Sequence, residues 1–180
     1  MMALIVILSI FCLQDTIEIK TIQGMSYRIF NEQDNLCFQY KAERNWSEPM
    51  ILDNGNISEY AFTITPGDYL HIAYCKDNRV CYRTTLEPIT FKLVKNNGLP
   101  KWSTWVFVSP YFTEPVSNIS IGFEDKYLYV IWHAPVAGNS TLNETWKRMK
   151  IINEPIYKWF TPQCMSIHPS NNHFPDRTEQ

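Results

Sequence analysis

An antiparallel β-sandwich is the fold class that three features of the chain predict. Aromatic residues fill 14% of the 180 positions, six of them Trp, and such side chains suit a half-buried pleated surface. Short segments that alternate apolar with polar residues recur from Met25 to Val108, the period-two signature of strands. Turn residues close these segments roughly every 8 to 15 positions, as in sandwiches, and no 3.6-residue period persists.

The elements follow in order. Ala3 to Leu13 is an eleven-residue apolar run, shorter than the ~20 residues that cross a bilayer and within the ~7–15 of a signal-peptide core. Residues 1–18 therefore read as a cleavable leader, with no membrane span anywhere in the chain. Met25 to Phe30 is a first strand. Leu36, Phe38 and Tyr40 alternate in a second; Tyr60, Phe62 and Ile64 form a third, closed by Pro66-Gly67-Asp68. Leu70, Ile72 and Tyr74 return, Tyr82 to Leu86 follows, and Ile89, Phe91 and Leu93 alternate again. Asn96-Asn97-Gly98 is a hairpin signal before Trp102 to Val108, the seventh strand.

The pattern then restarts. Thr113-Glu114-Pro115 reads as a linker, Val116 to Phe123 and Tyr127 to Trp132 as two strands, and Ile156 to Phe160 as a third. Between them Ala134 to Met149 reads as a long polar loop, with room for one helical turn over Glu144 to Met149. Residues 19–113 form a first module on this reading, 114–164 a second and truncated one, and 165–180 a flexible tail. Three strands leave edges unpaired, which predicts a second module that opens more readily than the first.

Function classes narrow next. The net charge is −2, with Lys and Arg scattered singly; a nucleic-acid partner requires a basic stripe to displace phosphate counterions, so that class is excluded. Asn-x-Ser/Thr occurs at Asn45, Asn56, Asn118, Asn139 and Asn143, where 14 Asn and 24 Ser plus Thr give about two by chance. With the leader, these glycan acceptors predict a secreted, extracellular glycoprotein, a setting in which disulfides persist. Cys75 and Cys81 end one strand and open the next, and a disulfide between them would add roughly 2 kcal/mol by restricting the unfolded chain.

Catalysis has no anchor in the sequence. There is no Gly-x-Ser-x-Gly, no glycine-rich phosphate loop and no His-Glu-x-x-His. Glu124-Asp125 falls in a turn. Cys164, His168 and His173 are the one metal-like group, without a fourth ligand. No cofactor, no metal and no enzymatic activity are expected. Trp102 and Trp132 read as core rings, and Trp105 as a stacking partner for Lys92 or Arg83.

Three stretches together resemble the extracellular region of class II cytokine receptors, the interferon and interleukin-10 receptor family. They are Cys75 to Cys81 followed by Ile89 to Val94 and Pro100-Lys-Trp102; Phe112-Thr-Glu-Pro115 leading to Lys126 through Pro135; and Glu144-Thr-Trp146. The order and spacing of all three carry the likeness, over residues 19 to 160. The family's Pro-Pro pairs and the later strands of its second module are missing. Trp102-Ser-Thr-Trp105 is similar to the class I receptor motif, but Val106 stands where that motif has Ser.

The resemblance implies fibronectin type III-like modules and a partner: a helical cytokine of the interferon or interleukin-10 class, with a second receptor chain as a further partner. A chain without an anchor would sequester the cytokine as a soluble receptor or decoy in the immune response. The family's two-module layout places the contact loops at Thr65, Asp68, Leu86 and Glu87 on one side and at Glu144, Trp146 and Lys147 on the other. Trp146 is the natural anchor, unless its ring folds back on Ile151 or Ile152. The competing readings are a class I-type fragment and a fibronectin-like adhesion module with no cytokine partner.

Overall fold

Asp77 and Asn78 both take left-handed backbone, with φ of 51° and 58°, and set the register of the central hairpin. Two such residues in succession make the tight turn whose twist matches antiparallel strands, and Asp and Asn tolerate it well. Gln33 and Asp34 (φ 50° and 62°) repeat the device, and Gly67 and Asp68 (φ 93° and 61°) turn a third hairpin. The computed structural model describes residues 16–20, 25–41, 45–90, 99–136 and 139–166.

Twelve strands result: β1 (Thr16–Lys20), β2 (Ser26–Glu32), β3 (Asn35–Lys41), β4 (Met50–Asn54), β5 (Ile57–Thr65), β6 (Tyr69–Lys76), β7 (Arg79–Thr84), β8 (Val106–Phe107), β9 (Ser117–Glu124), β10 (Tyr127–Val136), β11 (Asn139–Ile151) and β12 (Gln163–Cys164). They form three four-stranded antiparallel sheets, β1-β2-β3-β4, β5-β6-β7-β8 and β9-β10-β11-β12. Among the described residues there is no helix. The chain is all-β, as its alternation and aromatic content predict. Among the described residues each sheet is a meander of consecutive strands, without the exchange between sheets that Greek-key connections produce in fibronectin-type sandwiches.

The sheets stack in three layers, and the β5–β8 sheet is the middle one. Its first face carries Phe62, Leu70, Ile72, Tyr74 and Cys81 against Tyr27, Ile29, Leu36, Phe38 and Leu52 of the first sheet. Its second face carries Ala73, Cys75, Val80 and Tyr82 against Ile121, Leu128, Val130 and Trp132 of the third. Every residue of β6 from Leu70 to Cys75 is consequently buried, the pattern of a strand covered on both faces. The third sheet is thus a layer over the middle sheet, not the start of a separate sandwich. The core between the middle and third sheets runs across the linker expected at 113–115, with Val108 before it and Val116 after it, and the middle sheet covers the face that a truncated module would expose.

Several elements differ from the sequence reading. β1 crosses the leader boundary expected at 18: Ile17 and Ile19 alternate with Thr16, Glu18 and Lys20, and the segment pairs with β2 from Thr16↔Phe30 to Lys20↔Ser26. The polar stretch expected as a loop with a helical turn is β11, thirteen residues long, held by pairing with β10 from Tyr127↔Ile151 to Pro135↔Asn143. Ile156 to Phe160 is not a strand but a turn, in which Lys158 N–H donates to the Pro155 carbonyl at 2.9 Å. β8 keeps only Val106 and Phe107 of its expected span, with a lone bridge from Thr85 to Trp102. Ile89 and Thr90 are outside any strand, and residues 91–98, with the expected Asn97-Gly98 hairpin, lie outside the described residues. The start of the expected tail is anchored, Met165 N–H donating to the Thr145 carbonyl at 2.7 Å.

The expected Cys75–Cys81 disulfide is corrected by the same hairpin. Its two-residue turn pairs Cys75 with Val80 and Tyr74 with Cys81. The two cysteines are therefore one register step apart, and the two-residue period of a strand sends them to opposite faces. Cys75 lies in the core with the third sheet and Cys81 in the core with the first. Both are free thiols, as are Cys37 and Cys164.

Candidate binding surface

Backbone hydrogen bonds join the two turns singled out in the first half of the chain. Asp68 N–H donates to the Thr65 carbonyl at 3.1 Å, and Ile89 N–H to the Asp68 carbonyl at 2.9 Å. Thr85 N–H reaches the Leu70 carbonyl at 3.0 Å, and Thr85 Oγ1 accepts from Leu70 N–H at 3.1 Å. Leu86 N–H closes the far side on the Lys101 carbonyl at 2.7 Å. This fixed backbone holds Leu86 62% exposed, next to Glu87, while Leu99 stands exposed two residues before Lys101. Thr65 itself is buried. The surface is a rigid turn pair carrying an apolar side chain beside a carboxylate.

The second group of residues has a different character. Glu144, Trp146 and Lys147 lie along β11 of the third sheet, opposite Ala134, Trp132 and Ile131. Trp146 packs against the core that the third sheet shares with the middle one. Its indole Nε1 is buried without a hydrogen-bond partner, so the ring serves packing and is not an outward anchor. Lys147 stacks its ammonium 4.7 Å from the centroid of the Tyr129 ring. That ring in turn lies against Gly122, where a Cβ would meet the Tyr129 hydroxyl at 2.6 Å. Asn45, Asn56, Asn118 and Asn143 are all exposed; the side chain of Asn139 is outside the described set. Asn118 has φ of 52° and lies 2.9 Å from His133 Nδ1.

Three titratable groups in the interior, His71, Lys150 and Asp53, are held by protein partners. His71 is 3% exposed, with Nε2 2.8 Å from Thr65 Oγ1 and Nδ1 2.7 Å from the Tyr82 hydroxyl. Burial, helped by the nearby Lys150 charge, pushes its pKa down to about 3 and keeps the ring neutral. Lys150, buried on β11, donates to the carbonyls of Ile152 (3.2 Å) and Glu154 (2.8 Å); burial lowers its pKa against the opposing pull of Glu154. Asp53 accepts from Lys76 Nζ at 2.6 Å and from the Tyr74 hydroxyl at 2.7 Å. Burial raises its pKa, but these hydrogen bonds, one from Asn54 N–H and the Lys76 charge outweigh it, leaving it lowered.

A cation–aromatic cluster at the edge of the middle sheet was not legible in advance. Trp105 and Phe107 meet edge-on with centroids 4.8 Å apart, Arg79 stacks 3.3 Å from the Phe107 centroid and Lys76 lies 5.8 Å from that of Trp105. Lys76 fills the place expected of Arg83, which instead donates to the carbonyls of Ser103 and Leu52; Lys92 is outside the described residues. The register Tyr74↔Cys81↔Phe107 brings these rows together, and sequence spacing does not reveal it. No family model matches the chain, and no curated protein matches it.

Proposed function

We propose that the chain is an extracellular capture module that binds a helical cytokine of the interferon or interleukin-10 class and withholds it from the signalling receptor. The observation that carries this reading is the turn pair 65–68 and 85–89. It is a loop contact surface fixed by backbone hydrogen bonds, with Leu86 held outward beside Glu87. Loops on a rigid sheet scaffold are where recognition concentrates, and preorganisation lowers the entropic cost of binding. The resemblance to class II cytokine receptors supplies the ligand class. The meander order and the third layer set this chain apart from tandem fibronectin-type modules, so the contact rests on the loop end of the middle sheet and not on an elbow.

The test is a binding screen of the full chain against interferons and interleukin-10-family cytokines, followed by Leu86→Asp on the best ligand. The reading expects at least one cytokine to bind, and L86D to weaken it about tenfold or more without a change in melting temperature. Absence of binding to every cytokine tested would remove the reading.

A further inference from the structure

His71 stands at the base of the turn pair 65–68 and 85–89. On β6 it pairs with Thr84, one residue before Thr85, and its neighbour Leu70 bonds to both threonines. Leu70 N–H donates to Thr85 Oγ1 at 3.1 Å, and the Leu70 carbonyl accepts from Thr84 Oγ1 and from Thr85 N–H, each at 3.0 Å. The His71 side chain reaches the other turn, with Nε2 2.8 Å from Thr65 Oγ1. The Thr65 carbonyl holds Asp68 N–H, and the Asp68 carbonyl holds Ile89 N–H. One buried ring underlies both turns.

The other ring nitrogen is engaged on the side of the third layer. Nδ1 lies 2.7 Å from the Tyr82 hydroxyl, the two rings stack with centroids 6.0 Å apart, and the Trp159 ring meets Tyr82 edge-on at 4.9 Å. Trp159 is fixed by the turn that follows β11: its Nε1 donates to the Ile156 carbonyl, and Phe160 N–H to the Met149 carbonyl, both at 2.8 Å. The neutral His71 ring carries one N–H, so it donates to one of its two hydroxyls and accepts from the other. The direction of the Tyr82 bond therefore dictates that of the Thr65 bond. Loss of the Tyr82 hydroxyl leaves a buried ring nitrogen unpaired, which is costly in an interior.

We infer that Tyr82 and His71 are positioning residues through which the third layer, by way of Trp159, sets the order of the 65–68 and 85–89 turns. That these turns are a contact surface rests on the proposed cytokine capture; their dependence on the third layer does not. Tyr82→Phe removes one hydroxyl and keeps the ring, and Trp159→Leu removes the ring edge and keeps an apolar side chain. Hydrogen exchange of the full chain compares the amides of Asp68, Thr85 and Ile89 in the turns with those of Ile72 and Tyr74 in the core of β6. Each variant should speed exchange at the turn amides about tenfold or more relative to the core amides. The double variant should add little to the larger single effect, since both changes break one chain of contacts. If Trp159→Leu fails to fold, Tyr82→Phe carries the test alone. Protection lost equally by turn and core amides would overturn the inference, marking Tyr82 and Trp159 as packing only, and so would unchanged protection of the turns. Because the amides are read without a ligand, a failed cytokine screen removes the contact-surface reading and leaves this test intact. With a cytokine that binds, Tyr82→Phe should weaken it about fivefold through lost preorganisation, and unchanged affinity would count against the relay.

Discussion

Cys75 faces the third sheet and Cys81, across the same hairpin, faces the first. Each is a small apolar plug in a separate core, the usual role of a buried thiol. Burial pushes the Cys81 thiol up to about 12, with the Asp53 charge adding to the shift, and Cys37 is likewise raised by burial, then by Glu32.

Thiol labelling follows from this arrangement. Of the four cysteines from Cys37 onward, only Cys164 is exposed. Iodoacetamide should therefore modify Cys164 in the native protein and reach Cys37, Cys75 and Cys81 only after unfolding. Mass spectrometry of the labelled peptides reads this directly, and reducing agent should leave the melting temperature unchanged.

Acid should weaken the protein through His71. Its folded pKa, about 3, lies below the ordinary value of 6.5, so the unfolded chain binds the proton first as pH falls. The stability due to this site is complete above about pH 6.5, declines through the window down to about 3, and totals on the order of a few kcal/mol. Urea midpoints measured across this range should fall with pH. His71→Gln should flatten the slope between about pH 6.5 and 4, at the cost of a lower plateau near neutrality.

Asp53 governs a lower window. Its pKa is depressed from 3.8, so its contribution is present above that value and is lost as pH falls through the lowered folded pKa. The pair is largely buried, at 18% and 7% side-chain exposure for Lys76 and Asp53. Asp53→Ala leaves the ammonium and the Tyr74 hydroxyl without their acceptor and should cost about 3–5 kcal/mol in urea unfolding at pH 7. Adding Lys76→Met should restore part of that loss.

Trp132 and Trp146 stand opposite each other on β10 and β11. Trp132 is fully buried, so Trp132→Ala should cost about 3–5 kcal/mol. Trp146→Ala should cost about 2 kcal/mol or more and leave cytokine affinity unchanged, the reverse of the result for Leu86→Asp. Paired thermal melts and binding titrations separate the two roles.

How far the sequence reaches is clearest in β6 and β11. Leu70, Ile72 and Tyr74 mark a strand by alternation, and the strand is present. That His71, Ala73 and Cys75 on its other face are buried as well is the sign of a middle layer, but alternation read for one apolar face does not register it. β11 was obscured because Asn143, Glu144, Thr145, Lys147, Arg148 and Lys150 read as a solvated loop. Arg148 finds partners distant in sequence, donating to the carbonyls of Phe160 (2.7 Å) and Val108 (3.0 Å), and Lys150 is buried on nearby carbonyls of Ile152 and Glu154. The turns 65–68 and 85–87 were legible from Pro, Gly and Asp, whereas the Arg79–Phe107 stack depends on a register joining strands more than twenty residues apart in sequence.

The central claim is that the third sheet is a layer packed on the middle sheet and not a marginal second module. Native-state hydrogen exchange of the full chain tests it by comparing the amides of Leu128, Val130 and Trp132 in β10 with those of Leu70, Ile72 and Tyr74 in β6. One cooperative unit of three layers predicts protection factors within roughly tenfold of each other, with both sets opening only by global unfolding. Exchange in β10 roughly a thousandfold faster than in β6 would contradict it, showing that the third sheet opens on its own.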